Sequence, residues 1–130
     1  MRGKFRILVV DDEDGVLETL NDIFEEKGYF VDKANCGKDA ISKVKVGKFN
    51  MIFIDMKMPV KNGFEIYTKI KKIDSSIVCV LMTAYPQEFC HEIEAALKLG
   101  AYGCLVKPFD PQEAVDLAER FTKEIIKKEK

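Results

Sequence analysis

The sequence lacks an excess of either charge. Its 130 residues include 21 lysines and arginines against 22 aspartates and glutamates, which leaves a net charge of -1. A chain this balanced has no overall basic field to attract nucleic acid or an anionic membrane surface. We therefore predict no direct nucleic-acid binding, and we expect any function to depend on a local site.

Long hydrophobic runs are also missing. The longest apolar runs, residues 7–10 and 77–82, are far too short to span a bilayer. Only four apolar residues separate the basic start from Asp11, so the first residues do not contain a signal-peptide core. We expect no membrane insertion and a cytoplasmic location.

Closely spaced cysteines are absent as well. Cys36, Cys79, Cys90 and Cys104 form no C-x-x-C pair, which argues against a zinc knuckle and against a thioredoxin-like site. A chain of 130 residues can bury a core without disulfide bonds. We therefore expect reduced thiols, as in cytosolic proteins.

The chain contains no internal repeat, low-complexity tract or flexible linker, and its length is typical of one domain. Apolar, strand-like runs alternate with segments that have helical spacing of apolar residues. The predicted strands are Arg6–Val10, Tyr29–Ala34, Met51–Ile54, Ile77–Met82 and Gly103–Val106. Five strands alternating with five helices predict an α/β fold, a doubly wound parallel sheet with helices on both faces.

Polar side chains follow four of the predicted strands. Right-handed crossovers place the carboxyl ends of parallel strands at one edge of the sheet, where ligands bind. The residues that this edge would collect are Asp11, Asp12 and Glu13 after the first strand, Asp55 after the third, Thr83 after the fourth and Lys107 after the fifth. The sequence therefore predicts three or more carboxylates, one hydroxyl and one ammonium on a single rim.

This combination points to phosphoryl chemistry. Two carboxylates about 4 Å apart repel each other by roughly 4 kcal/mol at an effective dielectric constant of about 20, so a cluster recruits a cation or raises its pKa values. Oxygen ligands without His or Cys favour Mg²⁺. A metal ion, a lysine and a hydroxyl can hold a phosphoryl group, and a carboxylate can accept it. Asp55 is the best candidate nucleophile, while Asp11 and Asp12 are better placed for the metal.

Four ordered motifs resemble the receiver domain of two-component response regulators. They are residues 7–13 (ILVVDDE), residues 55–59 (DMKMP) with Gly63, residues 81–84 (LMTA), and Gly100-Ala101 leading to residues 106–109 (VKPF). The resemblance runs through the last helix and implies a flavodoxin-like strand order of 2-1-3-4-5. It also implies one receiver domain over residues 1–130, and we expect no output domain.

The resemblance implies a role for each matching residue. Asp55 would accept a phosphoryl group from a phosphohistidine of a sensor histidine kinase or histidine phosphotransferase. Mg²⁺, with Mn²⁺ as an alternative, would be held by Asp12, Asp55 and the backbone carbonyl of Lys57, and by Asp11 mainly through a water molecule. These assignments describe a phosphoacceptor that promotes only its own phosphorylation and dephosphorylation, not an enzyme acting on outside substrates.

Thr83 and Lys107 would contact the phosphoryl group, and the Lys107–Pro108 bond is expected to be cis. The movement of Thr83 would change the neighbouring loops and control a downstream protein target. The resemblance leaves the oligomeric state open between a monomer and a phosphorylation-dependent homodimer.

Three positions depart from the family pattern. Cys104 stands where an aromatic residue is common, and Tyr102, on the same strand face by a period of two, is not a substitute because it belongs to the preceding turn. The interval from Thr83 to Lys107 is longer than expected, so residues 86–91 are predicted to form an extended loop. Lys57 follows the nucleophile by two residues, and we expect its charge to alter the dephosphorylation rate.

Two other functions fit parts of the pattern. A Mg²⁺-dependent phosphatase or dehalogenase-like enzyme would also use an Asp nucleophile, but it usually needs an Asp-x-Asp pair, and Asp55 is followed by Met56 and Lys57. An FMN-binding protein would carry a Ser-, Thr- and Gly-rich loop after the first strand. Here Asp11, Asp12 and their acidic neighbours would repel a phosphate instead.

Overall fold

A computed structural model describes the backbone of residues 5–129 and the side chains of residues 5–127. Strands and helices alternate along this part of the chain. The strands are β1 Arg6–Val10, β2 Phe30–Ala34, β3 Met51–Asp55, β4 Val78–Thr83 and β5 Gly103–Val106. The helices are α1 Asp14–Glu26, α2 Gly37–Val46, α3 Gly63–Ile73, α4 Cys90–Lys98 and α5 Pro111–Glu129.

The five strands form one parallel sheet in the order β2-β1-β3-β4-β5. This order confirms the predicted doubly wound fold. The connection from β1 leads to one side of the sheet and the connection from β2 crosses back to the other side, so β1 and β3 are neighbours at the topological switch point. In sheets of this kind the ligand site lies outside the carboxyl ends of these strands.

Helices cover both faces of the sheet, as predicted. Along β3, Ile52 and Ile54 belong to the core beneath α2, α3 and α4, whereas Met51 and Phe53 belong to the core beneath α1 and α5. This alternation follows from the two-residue period of a strand. Every residue of β3 is buried, which explains why its sequence is an almost continuous apolar run.

Two strands extend one residue further than the apolar pattern predicts. Asp55 pairs in register with Met82, and Thr83 pairs with Val106, so β3 ends at Asp55 and β4 ends at Thr83. β2 and β4 also begin one residue later than predicted, because Tyr29 and Ile77 lie just before the paired segments. The two polar side chains therefore belong to the sheet itself and are held by its hydrogen bonds.

The loop before α4 is shorter than predicted. Residues 86–91 were expected to lie in it, but α4 already begins at Cys90, and the connection spans residues 84–89. Phe89 is buried and its carbonyl accepts a hydrogen bond from the Ile93 N–H at 2.9 Å, so the helix starts as soon as this side chain reaches the core.

Candidate functional site

Three carboxylates converge at the carboxyl edge of the sheet. Asp11, Asp12 and Asp55 each offer one oxygen, and these oxygens all lie within 4.8 Å of one another. Asp11 is completely buried and Asp55 is 4% exposed, while Asp12 is open to solvent. The site thus has two buried carboxylates beneath one accessible carboxylate, and the structure brings together the acidic residues that the sequence singled out.

Lys107 connects this cluster to the end of β5. Its Nζ lies 2.7 Å from Asp11 Oδ2, 3.4 Å from Asp55 Oδ1 and 3.3 Å from Glu13 Oε1. The following bond, Lys107–Pro108, is cis, as expected. The contact with Glu13 was not predicted, although the run of four acidic residues after β1 could have indicated it.

Thr83 is fully buried at the end of β4. Its Oγ1 accepts a hydrogen bond of 2.8 Å from the Tyr85 N–H, which fixes the start of the following loop. A hydroxyl group that accepts one hydrogen bond still has its own hydrogen to donate. The Thr83 hydroxyl hydrogen therefore remains available for a second hydrogen bond while Tyr85 stays bound.

The loop after Asp55 requires glycine at position 63. The Gly63 N–H donates to the Met56 carbonyl at 2.8 Å, which folds the loop back on itself. A Cβ atom on Gly63 would lie 2.5 Å from the Asp55 carbonyl oxygen and 2.8 Å from Met56 Cα, both backbone atoms with little freedom to move. The start of α3 is thus in direct contact with the backbone of Asp55.

Lys57 lies on this loop and is exposed. Its Nζ is 4.3 Å from the centre of the Tyr85 ring, a cation–π contact that joins the loop after β3 to the loop after β4. This contact was not predicted from the sequence.

Burial dominates the electrostatics of the acidic cluster. Desolvation, followed by repulsion from Asp11, raises the pKa of Asp55 from 3.8 to about 6, although Lys107 opposes the shift. Burial also raises the pKa of Asp11. Burial of Lys107 acts to lower its pKa, but the hydrogen bond to Asp11 and attraction to the carboxylates raise it overall. A cation at this position would lower the cost of keeping Asp11 and Asp55 ionised.

Cys104 is half-buried and packs against the core beneath α2, α3 and α4. Tyr102 instead packs against the core on the other face, with its ring centre 5.6 Å from that of Phe121 and its hydroxyl donating to Glu124 at 3.0 Å. The expectation that both side chains share one strand face was wrong. Because β5 begins at Gly103, Tyr102 lies before the strand, where the two-residue period does not apply.

A buried aspartate at the end of a central parallel strand, beside two other carboxylates and a lysine, is the arrangement expected of a phosphoacceptor domain of the doubly wound class. The family model for the response regulator receiver domain matches residues 7–119, and the chain belongs to this family. It is therefore a signalling switch of the phosphoacceptor type, and the alternative interpretation as a phosphatase or dehalogenase is not favoured.

Several characterised proteins are similar to this chain. Sporulation initiation phosphotransferase F of Bacillus subtilis is 34% identical over 116 residues, which cover 89% of this chain and 92% of that protein. The response regulator SaeR of Staphylococcus epidermidis is 36% identical over 109 residues, covering 84% of this chain but 46% of SaeR. The chain thus spans about half the length of SaeR and nearly all of the phosphotransferase.

Solved structures of response regulators are also similar to this chain. A CheY-like response regulator receiver domain protein of Methanospirillum hungatei superimposes with a TM-score of 0.88 at 27% identity, covering 95% of this chain and 98% of that one. The response regulator TrrA of Thermotoga maritima, in complex with Mg²⁺ and BeF, superimposes with a TM-score of 0.78 at 30% identity, covering 89% of this chain and 97% of that one.

Among the described residues, no helix has the length and apolar character needed to cross a membrane.

Proposed function

We propose that Asp55 is the phosphoacceptor of this receiver domain. A carboxylate oxygen of Asp55 attacks the phosphorus of a phosphohistidine, the phosphorus–nitrogen bond breaks, and the histidine leaves with the electron pair and takes up a proton. The observation that carries this assignment is the position of Asp55 at the end of the central strand, with Lys107 3.4 Å from its Oδ1.

The donor set fits a divalent metal ion. Asp11, Asp12 and Asp55 converge without nitrogen or sulfur ligands, which is the chemistry that Mg²⁺ prefers, with Mn²⁺ as an alternative. Asp12, Asp55 and the Lys57 carbonyl would hold the ion, and Asp11 would act mainly through a water molecule. When bound, such an ion neutralises the charge on phosphoryl oxygens.

Lys107 and Thr83 would stabilise the phosphorylated form. Phosphorylation adds negative charge and acceptor oxygens to Asp55. Lys107, now shared between Asp11 and Asp55, would pair with one of these oxygens, and Thr83 would donate its hydroxyl hydrogen to another. Because Thr83 also holds the Tyr85 N–H, its movement would shift the loop that leads to α4 and change the surface offered to a downstream protein target.

A groove beside Lys107 supports a protein as the phosphodonor. Its volume is about 590 Å³, and it lies between α1 and the segment after β5. The lining is mainly apolar, with Val16, Leu20 and Phe109 among its residues, and it is continuous with the acidic site through Glu13 and Lys107. A helix that carries the phosphohistidine of a histidine kinase or histidine phosphotransferase would bind here.

Incubation with acetyl phosphate, followed by intact-mass spectrometry, tests the acceptor. We expect one phosphoryl group per chain, dependent on Mg²⁺, lost in Asp55→Ala and retained in Asp14→Ala, which removes an exposed carboxylate outside the cluster. Modification of Asp55→Ala, or turnover of p-nitrophenyl phosphate by the unmodified chain, would contradict the proposal.

A substitution at one of its lining residues tests whether the groove beside Lys107 binds the phosphodonor. Thr19→Arg places a bulky cation on an exposed position of the groove. Phosphotransfer from the histidine kinases of the source organism should slow at least several-fold, while phosphorylation by acetyl phosphate stays unchanged. Ser75→Arg, on an exposed turn before β4, should affect neither reaction. Equal slowing with both donors would show that the groove is not the docking surface.

A further inference from the structure

A second groove, which the phosphoacceptor site does not use, lies between α2, α3 and the loop that joins β3 to α3. It has a volume of about 700 Å³. Five lysines line it, namely Lys38, Lys45, Lys61, Lys69 and Lys72. We call this surface the lysine groove. No carboxylate of the acidic cluster contributes to its lining.

Helical spacing explains why these side chains share one surface. Lys38 and Lys45 are seven residues apart on α2, and Lys69 and Lys72 are three residues apart on α3, so each pair lies on one face of its helix. The helices approach closely at their N-terminal halves, where a Cβ atom on Gly37 would lie 3.0 Å from Ile66 Cγ1. The two lysine-bearing faces therefore border the same groove.

The five lysines of the groove have no salt-bridge partner among the described residues. Lys43, also on α2, instead pairs with Asp32 at 3.2 Å and Asp39 at 3.5 Å. The nearby Lys61, as a competing donor and a like charge, lowers the pKa of Lys69, although Glu65 acts in the opposite direction. Concentrating cations in this way, in a chain whose net charge is -1, leaves a local field that attracts anions.

The lysine groove also contains apolar surface. Ile41, Val60 and Ile73 line it; Val60 is fully exposed and Ile73 is 39% exposed. Val60 has a φ of 68°, a conformation that β-branched residues rarely adopt, and a 2.7 Å hydrogen bond from the Lys61 N–H to the Pro59 carbonyl closes the turn around it. The chain thus holds a branched apolar side chain in solvent although no packing of its own stabilises it there.

We propose that the lysine groove binds an acidic, amphipathic segment of a partner protein. Carboxylates of the partner pair with the lysines at the rim, and its apolar side chains cover Ile41, Val60 and Ile73. Nucleic acid or polyphosphate would satisfy the lysines alone, because neither presents apolar side chains to Ile41, Val60 and Ile73. This interaction requires no phosphorylation of Asp55, so it stands apart from the proposed phosphoacceptor function.

A labelled synthetic peptide provides the direct test. An amphipathic helix of glutamates and leucines is titrated against the full chain, and binding is followed by fluorescence anisotropy and by amide NMR shifts. We expect shifts at Ile41, Val60 and Ile73, and an affinity that falls as salt concentration rises. A scrambled peptide of the same composition should bind at least about tenfold more weakly, which corresponds to 1.4 kcal/mol.

Two variants separate the charge from the apolar contact. Lys38→Glu/Lys69→Glu should weaken peptide binding by about tenfold or more, and Ile73→Ser should weaken it several-fold with little change in salt dependence. Lys98→Glu/Lys123→Glu changes the net charge equally at exposed positions outside the groove and should bind normally. Circular dichroism verifies that each variant is folded.

Three results would overturn the proposal. These are no binding of the peptide, equal weakening by the control pair, or equal affinity for a single-stranded oligonucleotide or polyphosphate of the same charge together with no effect of Ile73→Ser. The last result would identify the lysine groove as a general anion-binding surface. Acetyl phosphate labelling of the Lys38→Glu/Lys69→Glu variant should remain normal, which distinguishes failure here from failure of the phosphoacceptor assignment.

Discussion

The Lys107 ammonium lies closer to Asp11 than to Asp55, at 2.7 Å against 3.4 Å. Both carboxylates are buried, and the lysine side chain is only 11% exposed. A single cation therefore compensates two acids that solvent barely reaches. This arrangement makes the ionisation of Asp55 depend on Lys107 and on any metal ion that joins the site.

Removing Lys107 should raise the pKa of Asp55 further. In Lys107→Met the buried Asp55 loses its nearest cation but keeps the repulsion from Asp11, so its pKa should move above the present value of about 6. An NMR titration of the Asp55 side-chain carboxyl carbon measures this change. Lys98→Met, at an exposed position, should leave the titration unaltered. An unchanged or lower pKa in Lys107→Met would contradict the assigned coupling.

Asp55→Asn should stabilise the fold at high pH. The pKa of Asp55 is raised from 3.8 to about 6 in the folded chain, so the folded state binds the proton more tightly than the unfolded state does. The resulting stability is present below about pH 4 and is lost as pH rises through about 6. At pH 8 the variant should be more stable by about 3 kcal/mol, with little difference near pH 4. Urea unfolding at the two pH values measures both differences; equal stability at pH 8 would refute the prediction.

Magnesium should stabilise the folded chain. At ten times its dissociation constant, Mg²⁺ should add about 1.4 kcal/mol to the free energy of unfolding at pH 8, and EDTA should remove the gain. The gain should shrink at pH 5, because protons compete with the metal ion for Asp55, whose pKa is about 6. Asp12→Asn should lose most of it, whereas Asp14→Asn should keep it because Asp14 is outside the cluster. Thermal unfolding with and without Mg²⁺ reports these differences, and a full response in Asp12→Asn would argue against this ligand set.

Gly63→Ala should destabilise the protein and disturb the loop that follows Asp55. The added Cβ would lie 2.5 Å from the Asp55 carbonyl oxygen, so backbone must move, at a cost of roughly 1–3 kcal/mol. Gly15→Ala is the matched control, since nothing lies within 4 Å of its new Cβ and alanine favours a helix. Urea unfolding should therefore show opposite effects of the two substitutions. Acetyl phosphate labelling should slow only in Gly63→Ala.

Lys57→Asn should shorten the lifetime of the phosphorylated form. The Lys57 ammonium lies over the Tyr85 ring, beside the two loops between which an attacking water would reach Asp55. Losing this long cationic side chain should open that path and speed hydrolysis several-fold. Tyr85→Leu removes the ring that holds the ammonium and should act in the same direction. Phosphate-affinity electrophoresis measures the half-life of the phosphorylated chain. An unchanged half-life in Lys57→Asn would contradict the hypothesis.

The sequence predicted the fold and the membership of the acidic cluster well, because both follow from simple rules. Alternation of apolar strands with helices predicts a parallel sheet whose strands end at one edge, and the strand order implied by the family resemblance puts β1 beside β3, so Asp11, Asp12 and Asp55 were expected to lie close together. The extra residue in β3 and β4 was missed because Asp55 and Thr83 are polar, and an apolar pattern ends before them. The ends of β3 and β4 are set by pairing with the neighbouring strands, in which Asp55 lies opposite Met82 and Thr83 lies opposite Val106.

Side-chain contacts between loops were not predictable in the same way. The contact between Lys57 and Tyr85 depends on the paths of two separate loops, for which no periodic pattern exists. The placement of Tyr102 failed for a related reason, since a strand period was applied one residue before the strand begins. The spacing of lysines on α2 and on α3 indicates one lysine-bearing face on each helix. The sequence does not show that the two faces border the same groove, because that depends on how the helices pack.

The close contact of Gly63 with the Asp55 backbone has a mechanical consequence. β3 is paired on both sides and buried at every residue, so it cannot move without breaking the sheet. The first turn of α3 rests directly on the end of this strand. One end of the helix is therefore anchored to a fixed point, and we expect a conformational change to displace this end of α3 less than the loops that follow β4 and β5.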